Sequence, residues 1–358
     1  MTATFSRRTL LKRTAGLASL AAAPTLAVPA IAAAPSKITS FRSTSKSWLW
    51  APEDFAIAKG FFRDENLEVA VVATERAPNI DALLSRSADI VLTPPDQAMR
   101  VQMKGQPVRL IAGMVNKYAS HIVVRKSVLA ERKVTLDSPV ADRVAALKRL
   151  KLATTGAGGA PDSLFRYLFA DNGINPETDV QLVPVRGGGA AMLAALKQGS
   201  IDGFGLSSPT SDLAVRDFGA AYLFEMSTRP PPFFEDFLYI AVATTDRIIK
   251  ERAADLNAYY RGLARALKTI GDHPEVYSEW AAGFFSDLDT NLFKQAFANN
   301  SKIYMSDPRP TEVQFRRTVE FMNRQTMSGV DDRIPSTFAF KDWADQQFAD
   351  AHAKRVVR

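Results

Sequence analysis

The sequence contains no cysteine, and this absence alone excludes several kinds of chemistry. Without thiols the chain can form no disulfide, no thiolate metal site, no iron–sulfur cluster and no cysteine nucleophile. Histidine is scarce as well, because only His121, His273 and His352 occur and no two stand at a metal-binding spacing. The patterns G-x-S-x-G and H-E-x-x-H do not occur. We therefore predict no catalytic residue, no metal ion and no cofactor, and a protein that is not an enzyme.

Blocks of positive charge are also missing, although the net charge is +7 at pH 7. Arg7, Arg8, Lys12 and Arg13 account for much of this excess, and residues 1–36 contain no acid. The rest of the chain is only mildly basic and has no run of Lys and Arg interleaved with aromatic residues. Nucleic acid binding needs such a basic surface, so we predict no nucleic acid partner.

A twin arginine near the amino terminus precedes an alanine-rich stretch. The segment "SRRTLLKR" at 6–13 resembles the twin-arginine export signal, with Leu10 where that signal usually has Phe. We expect residues 1–32 to be a signal peptide, cleavage to follow Ala32 or Ala33, and the mature chain to reside in the periplasm. The alternative is an uncleaved membrane anchor, which the prolines within the apolar stretch disfavour.

One sequence pattern occurs twice. "ALLSRSADIVLTPP" at 82–95 and "ALKQGSIDGFGLSSP" at 195–209 share Ala, Leu, Ser and Asp at one constant offset. In both copies a short apolar run then ends at hydroxyl residues and proline. Upstream of each copy, the chain from Lys37 and from Lys151 follows the same order of strand, loop, helix, turn and strand. Strands that alternate with helices predict a parallel sheet in each half.

We therefore predict an α/β fold of two similar lobes with mainly parallel sheets, joined by a two-strand hinge. Apolar strands near 119–126 and 237–245 are the predicted hinge, and the chain beyond them carries apolar residues at helical spacing. The predicted organisation is a first lobe that begins with 36–126, a second lobe at 127–236, and a return strand with carboxyl-terminal helices on the first lobe at 237–358.

Several phrases in this order and spacing carry a resemblance to a known family. They are "AIAKGFFRDENLEV", "ALLSRSADIVLTPP", "HIVVRKS" and "ALKQGSIDGF". The chain resembles the type II periplasmic solute-binding proteins of ABC importers, the group with nitrate, sulfonate, taurine and thiamine-precursor receptors. The resemblance implies a monomer that captures a small anion between two lobes and delivers it to the membrane permease of an importer. An exported enzyme acting on a small molecule, or a ligand-sensing subunit for a membrane signalling protein, is the alternative.

A ligand between such lobes lies beyond the carboxyl ends of the strands. This rule selects six loops, at 43–53, 74–79, 93–97, 155–162, 186–190 and 207–211. In "TTGAGGAPDS" the glycines let the backbone approach a ligand, and the amides of Gly158, Gly159 and Ala160 at a helix start favour an anion. The third glycine of a dinucleotide fingerprint is missing, and a helix start that binds nothing is the alternative.

Side chains in these loops complete the predicted site. Arg186, followed by Gly187, ends a strand where its guanidinium can bind two oxygens of a carboxylate or sulfonate. A solvated surface charge or a salt bridge between domains is the alternative. Trp48 and Trp50 suit the apolar part of an organic anion, with core packing as the alternative. Polar contacts are predicted from the hydroxyl residues Thr93, Ser207 and Ser208. We expect the ligand to be a sulfonate, a taurine-like compound or an aromatic carboxylate.

Overall fold

The computed structural model describes residues 34–74, 80–325 and 333–356. The predicted signal peptide and most of the predicted 74–79 loop lie outside these residues. The strands of the described chain form two sheets, with orders β2-β1-β3-β10-β4 and β7-β6-β8-β5-β9. Their bounds are β1 Ser36–Arg42, β2 Leu67–Ala73, β3 Ile90–Thr93, β4 Val108–Val115, β5 His121–Arg125, β6 Lys151–Thr154, β7 Gln181–Pro184, β8 Gly203–Leu206, β9 Ala220–Phe224 and β10 Ile240–Thr245.

Helices connect the strands and form the carboxyl-terminal part of the described chain. Those before β10 are α1 Ala51–Ala58, α2 Asp81–Leu84, α3 Pro95–Gln102, α4 Lys126–Arg132, α5 Val140–Ala145, α6 Ala160–Asp171, α7 Gly188–Lys197 and α8 Thr210–Asp217. Those after β10 are α9 Asp246–Glu251, α10 Ala253–Asp272, α11 Pro274–Phe284, α12 Thr290–Asn300, α13 Glu312–Arg324, α14 Phe340–Trp343 and α15 Gln347–Val356. We call each sheet with the helices packed on it a lobe.

The two sheets repeat one another strand for strand. β1 pairs in parallel with β2 and β3, as β6 pairs in parallel with β7 and β8. β10 runs antiparallel between β3 and β4, and β5 runs antiparallel between β8 and β9. The predicted two-lobe α/β fold is therefore confirmed, and the pattern that occurs twice in the sequence is a structural repeat. Each sheet is mixed because one strand enters it from the opposite lobe.

The chain crosses between the sheets before β5 and again before β10, and the pairing of these two strands shows which lobe each one joins. β5 follows β4 directly in the chain, yet it belongs to the second sheet. The predicted first segment at 36–126 therefore extends too far, because its last strand pairs with β8 and β9 of the second lobe. β10 returns to the first sheet, between β3 and β4.

The long helix α10 ties the carboxyl-terminal part to the first lobe. It contacts α1, β1, β2 and β4, and it buries apolar residues at three- and four-residue spacing. Gly262 lets the helix approach Phe62 closely, since a Cβ at this position would lie 2.3 Å from that ring. Helices α12 and α13 also reach α8 and α6, so the carboxyl-terminal helices contact both lobes.

Candidate functional site

Four loops from the carboxyl ends of the two sheets meet between the lobes. The first lobe contributes residues 43–50 after β1 and 93–97 after β3. The second lobe contributes residues 155–163 after β6 and 207–211 after β8. We call the region formed by these four segments the interlobe cleft. Ligands of open α/β sheets bind beyond the carboxyl ends of the strands, which is where this cleft lies.

Hydrogen bonds cross the interlobe cleft. Ser47 donates from Oγ to the carbonyl of Ser208 at 3.4 Å, and both residues are buried. The hydroxyl of Tyr118, in the crossover between β4 and β5, donates to the carbonyl of Ala160 at 2.6 Å. The loops of the two lobes are therefore in direct contact, and we call this arrangement the closed form.

Asp96 is the charged residue at the centre of this contact. It lies in the first turn of α3, and its Oδ2 accepts a hydrogen bond from Oγ of Ser163 in α6 at 3.2 Å. Arg100, one turn further along α3, places Nη2 3.9 Å from the same oxygen atom. Burial raises the pKa of Asp96 above its usual value, although Arg100 and Ser163 both act to lower it.

A second buried carboxyl group lies at the start of α8. Asp212 accepts hydrogen bonds from Oγ of Ser208 and from the hydroxyl of Tyr222, the latter at 2.7 Å. Burial raises the pKa of Asp212, and these two hydrogen bonds oppose that effect. Ser208 is thus fixed on both sides, because its carbonyl accepts from Ser47 while its hydroxyl donates to Asp212.

A third buried acid lies in the first turn of α6, directly after the glycine-rich loop. The Gly158 amide donates to Oδ2 of Asp162 at 3.0 Å, and the Gly159 amide donates to the Gly156 carbonyl at 3.0 Å. Arg166 donates from Nε to Oδ2 of Asp162 at 2.9 Å. A buried carboxylate of the chain thus engages the Gly158 amide, and anion binding by the amides of Gly158, Gly159 and Ala160 stays a prediction.

Three buried aspartates are therefore residues that sequence reasoning missed. Asp96, Asp162 and Asp212 each lie in the first turn of a helix that begins beside the interlobe cleft. The signal was present in "PPDQ", "APDS" and "TSDL", since acids in the first turn stabilise a helix. The predicted site rests on the glycines and hydroxyls of the same stretches and does not include these carboxyl groups.

The two predicted aromatic contacts are core residues in this structure, which is the alternative that the sequence left open. Trp48 is completely buried and stacks on Phe285, with the ring centroids 4.1 Å apart. Trp50 is buried as well, and its Nε1 donates to Oγ1 of Thr44 at 2.9 Å. The helices after β10 supply the aromatic partners of Trp48, so the sequence of the first loop alone did not reveal its environment.

Arg186 and Gly187 lie apart from the hydrogen bonds that cross the interlobe cleft. Both residues are exposed, at the end of β7, which is the edge strand of the second sheet. Within the described residues Arg186 has no ion pair. Gly187 has a φ of 98°, a left-handed conformation that glycine adopts without strain, and it precedes α7. The guanidinium is thus free of carboxylates from the described part of the chain, and its role in binding stays a prediction.

The predicted hydroxyl contacts have different surroundings. Thr93 is fully buried at the end of β3, where its Oγ1 donates to Oε1 of Gln97 at 3.2 Å. Ser207 is half-buried, and its carbonyl accepts from the Ser211 amide at 3.4 Å. Together with the doubly fixed Ser208, these residues lie at the carboxyl ends of β3 and β8, on opposite sides of the interlobe cleft.

His121 begins β5, at the crossover between the lobes, and pairs with Leu206 at the end of β8. Its buried ring accepts a hydrogen bond at Nδ1 from the Met226 amide at 3.1 Å, and Nε2 lies 3.3 Å from Oγ of Ser227. Ser227 in turn donates to Oδ1 of Asn300 in α12 at 3.1 Å. Burial lowers the pKa of His121 from 6.5 to about 3, so the ring is neutral at physiological pH.

The described residues contain no group of three or more His, Cys, Asp and Glu that could hold a metal ion. In that same part of the chain, none of the helices has the length and apolar character needed to span a membrane.

The fold is similar to those of several solved proteins. A protein of Bordetella bronchiseptica superposes with a TM-score of 0.76 at 18% identity, over 90% of this chain and 98% of that one. The periplasmic nitrate-binding protein NrtA of Synechocystis gives a TM-score of 0.64 at 16% identity, over 90% and 89%. The alkanesulfonate-binding protein SsuA of Xanthomonas axonopodis, bound to MOPS, gives 0.61 at 16% identity, over 81% and 90%. At these identities the likeness establishes the fold.

Two comparisons concern the sequence itself. The chain is 43% identical over 76 residues to the nitrate import ATP-binding protein NrtC of Synechococcus elongatus, and this match covers 21% of the chain but 11% of that curated relative. Residues 50–282 match the profile of the NMT1-like family. Because that match extends over more than half of the sequence, the chain belongs to the NMT1-like family.

Proposed function

We propose that this chain is the periplasmic substrate-binding component of an ABC importer. The observation that carries the proposal is the interlobe cleft itself, where loops at equivalent positions of two repeated lobes meet through buried hydrogen bonds. A ligand that contacts both lobes favours the closed form over the open one, and closure then reports occupancy to a membrane partner. No chemical step is part of this role, so the chain is proposed not to be an enzyme.

The proposed ligand is a small organic anion, such as a sulfonate, a taurine-like compound or an aromatic carboxylate. Support comes from the nitrate- and alkanesulfonate-binding proteins that share the fold, and from the match to a nitrate import protein. Arg186 is the proposed partner of the negative group, because its guanidinium is exposed and has no ion pair within the described residues. The membrane permease of the importer is the proposed macromolecular partner.

The test is a thermal-shift panel of alkyl sulfonates, taurine, nitrate, aromatic carboxylates and pyrimidines. A ligand at 100 times its Kd stabilises the folded state by about 2.7 kcal/mol, so a true ligand raises the Tm measurably. We expect one class of organic anion to do so in a concentration-dependent manner. A panel in which pyrimidines alone stabilise the protein, or in which no compound does, would argue against the proposed ligand class.

Export is the second part of the proposal. We infer that residues 1–32 direct the chain through the twin-arginine pathway and that the mature protein begins at Ala33 or Ala34 in the periplasm. Mass spectrometry of the periplasmic fraction measures the mature terminus directly. The double substitution Arg7→Lys and Arg8→Lys should retain the protein in the cytoplasm. An intact Met1 in a membrane fraction would contradict the proposal.

A further inference from the structure

We propose that the contact between Asp96 and Ser163 couples closure of the two lobes to the uptake of one proton. This inference rests on the proposed function, because it concerns how the same interlobe cleft opens and closes. It assigns to Asp96 a regulatory role that neither the fold nor the family requires.

The geometry places the two partners in different lobes. Asp96 lies on α3 of the first lobe with its side chain 4% exposed, and Ser163 lies on α6 of the second lobe and is completely buried. Their hydrogen bond of 3.2 Å therefore exists only while α3 and α6 are in contact. Hinge opening, the usual motion of two-lobe binding proteins, breaks this bond and exposes the carboxyl group to water.

The groups that surround Asp96 come from several elements. Arg100 is on the same helix, so its favourable charge moves with Asp96 and is present in both forms. Tyr118 of the crossover and Tyr239, next to β10, face the carboxyl group, and burial raises the pKa of both hydroxyls, which stay protonated. On α6 the nearby carboxylate of Asp162 is paired with an arginine at 2.9 Å.

The sign of the effect follows from these surroundings. Burial raises the pKa of Asp96 in the closed form, whereas exposure to water removes this effect when the lobes separate. The closed form therefore binds the proton more tightly than the open form. At a pH between the pKa values of Asp96 in the open and closed forms, closing takes up a proton. In this range the equilibrium constant for closing increases by up to about tenfold for each unit of decrease in pH.

Asp212 provides a matched control. It is buried to the same degree and its pKa is also raised, but both of its hydrogen-bond partners belong to the second lobe. Opening of the lobes leaves these two hydrogen bonds in place, although it breaks the contact between Ser208 and Ser47. The substitution Asp212→Asn should therefore change the pH dependence of closure less than Asp96→Asn, which should remove it.

The absence of cysteine makes the measurement direct. The substitutions Lys197→Cys on α7 and Glu279→Cys on α11 place one label on an exposed site of each lobe for fluorescence energy transfer. Transfer is recorded against pH without ligand. We expect the closed fraction of the otherwise wild-type protein to fall as the pH rises above the usual pKa of an aspartate. Asp96→Asn should give a flat profile over the same range.

Ser163→Ala is a second test, because removal of a contact with only a structural role would not shift the pH dependence of closure. Its hydroxyl favours the charged form of Asp96, so its removal should move the upper end of the transition to higher pH. A flat wild-type profile, or an Asp96→Asn profile equal to that of the wild type, overturns the inference. If closure depends on pH as expected but no compound of the thermal-shift panel binds, the proposed function is wrong and the coupling stands. If a ligand binds but closure does not depend on pH, the coupling is wrong and the proposed function stands.

Discussion

Gly158 and Asp162 are joined by a hydrogen bond of 3.0 Å that closes the first turn of α6. The Asp162 carboxylate is buried and also accepts from Arg166, so one side chain neutralises the helix start and satisfies a loop amide. The Gly158 amide therefore binds an anionic group of the chain itself. A ligand of the interlobe cleft meets this loop with the amides of Gly158 and Gly159 already engaged.

Removal of this carboxylate should destabilise the protein. We expect Asp162→Ala to lower the free energy of unfolding by about 1–3 kcal/mol, because the half-buried Gly158 amide loses its acceptor and the largely buried Arg166 guanidinium loses one of its acceptors. Glu177 contacts the same arginine at 2.6 Å but is half-exposed, so Glu177→Ala should cost less than about 1 kcal/mol. Urea denaturation measures both values. Equal losses in the two variants would contradict the role given to Asp162.

Arg186 is the decisive residue for the proposed anion. With the ligand found by the thermal-shift panel, Arg186→Ala should weaken binding by about 1.5–3 kcal/mol and change the stability by less than about 1 kcal/mol. Arg186→Lys should restore little, because a point charge does not reproduce two parallel hydrogen bonds. Titration calorimetry gives the affinities. Wild-type affinity in the alanine variant would remove Arg186 from the site.

We expect Trp48 to contribute to the stability of the fold and not to ligand binding. Its ring is completely buried against Phe285, so Trp48→Ala should cost about 3–5 kcal/mol of unfolding free energy. Trp48→Phe keeps a ring against Phe285 and should retain most of the stability, and its ligand affinity should equal that of the wild type. Denaturant unfolding and calorimetry separate the two effects. An alanine variant with unchanged stability but weakened binding would restore Trp48 to the ligand site.

His121 should make the protein sensitive to acid. Its pKa is about 3 in the folded protein and 6.5 for an exposed ring, so the folded state binds fewer protons between these limits. The stability contributed by the neutral ring is therefore complete above pH 6.5 and is lost as the pH falls towards 3. In this window the wild type should lose up to about 1.4 kcal/mol per pH unit more than His121→Gln does.

The effect of His121 is the difference between the wild type and His121→Gln in the slope of unfolding free energy against pH. Asp96 and Asp212, whose raised pKa values act in the opposite direction, are present in both proteins and cancel in the difference. His273 has a side chain that is 64% exposed, so His273→Gln serves as the matched control for the loss of an exposed imidazole. Urea unfolding between pH 4 and pH 7 provides the data. A His121→Gln slope equal to that of the wild type would contradict the burial argument.

The local order of elements could be predicted from the sequence by itself. Strand and helix periodicities, with the pattern that recurs in residues 82–95 and 195–209, determine two α/β halves, because alternation with helices leaves parallel strands as the stable arrangement. The same local reasoning selected the four loops of the interlobe cleft, and it also selected 74–79, most of which lies outside the described residues, and 186–190, which is not among the four. The parallel pairing and the choice of loops both follow from rules that act within one half of the chain.

The tertiary structure decided the environment of single side chains. Trp48 is a core residue because Phe285, far along the chain, supplies its stacking partner, and the buried Asp96 accepts a hydrogen bond from Ser163 of the other lobe. Strand β5 joins the second sheet because its partners there are β8 and β9, which also come later in the sequence. Periodicity reports which face of an element is apolar, whereas burial and pKa depend on what packs against that face, and distant segments supply those contacts.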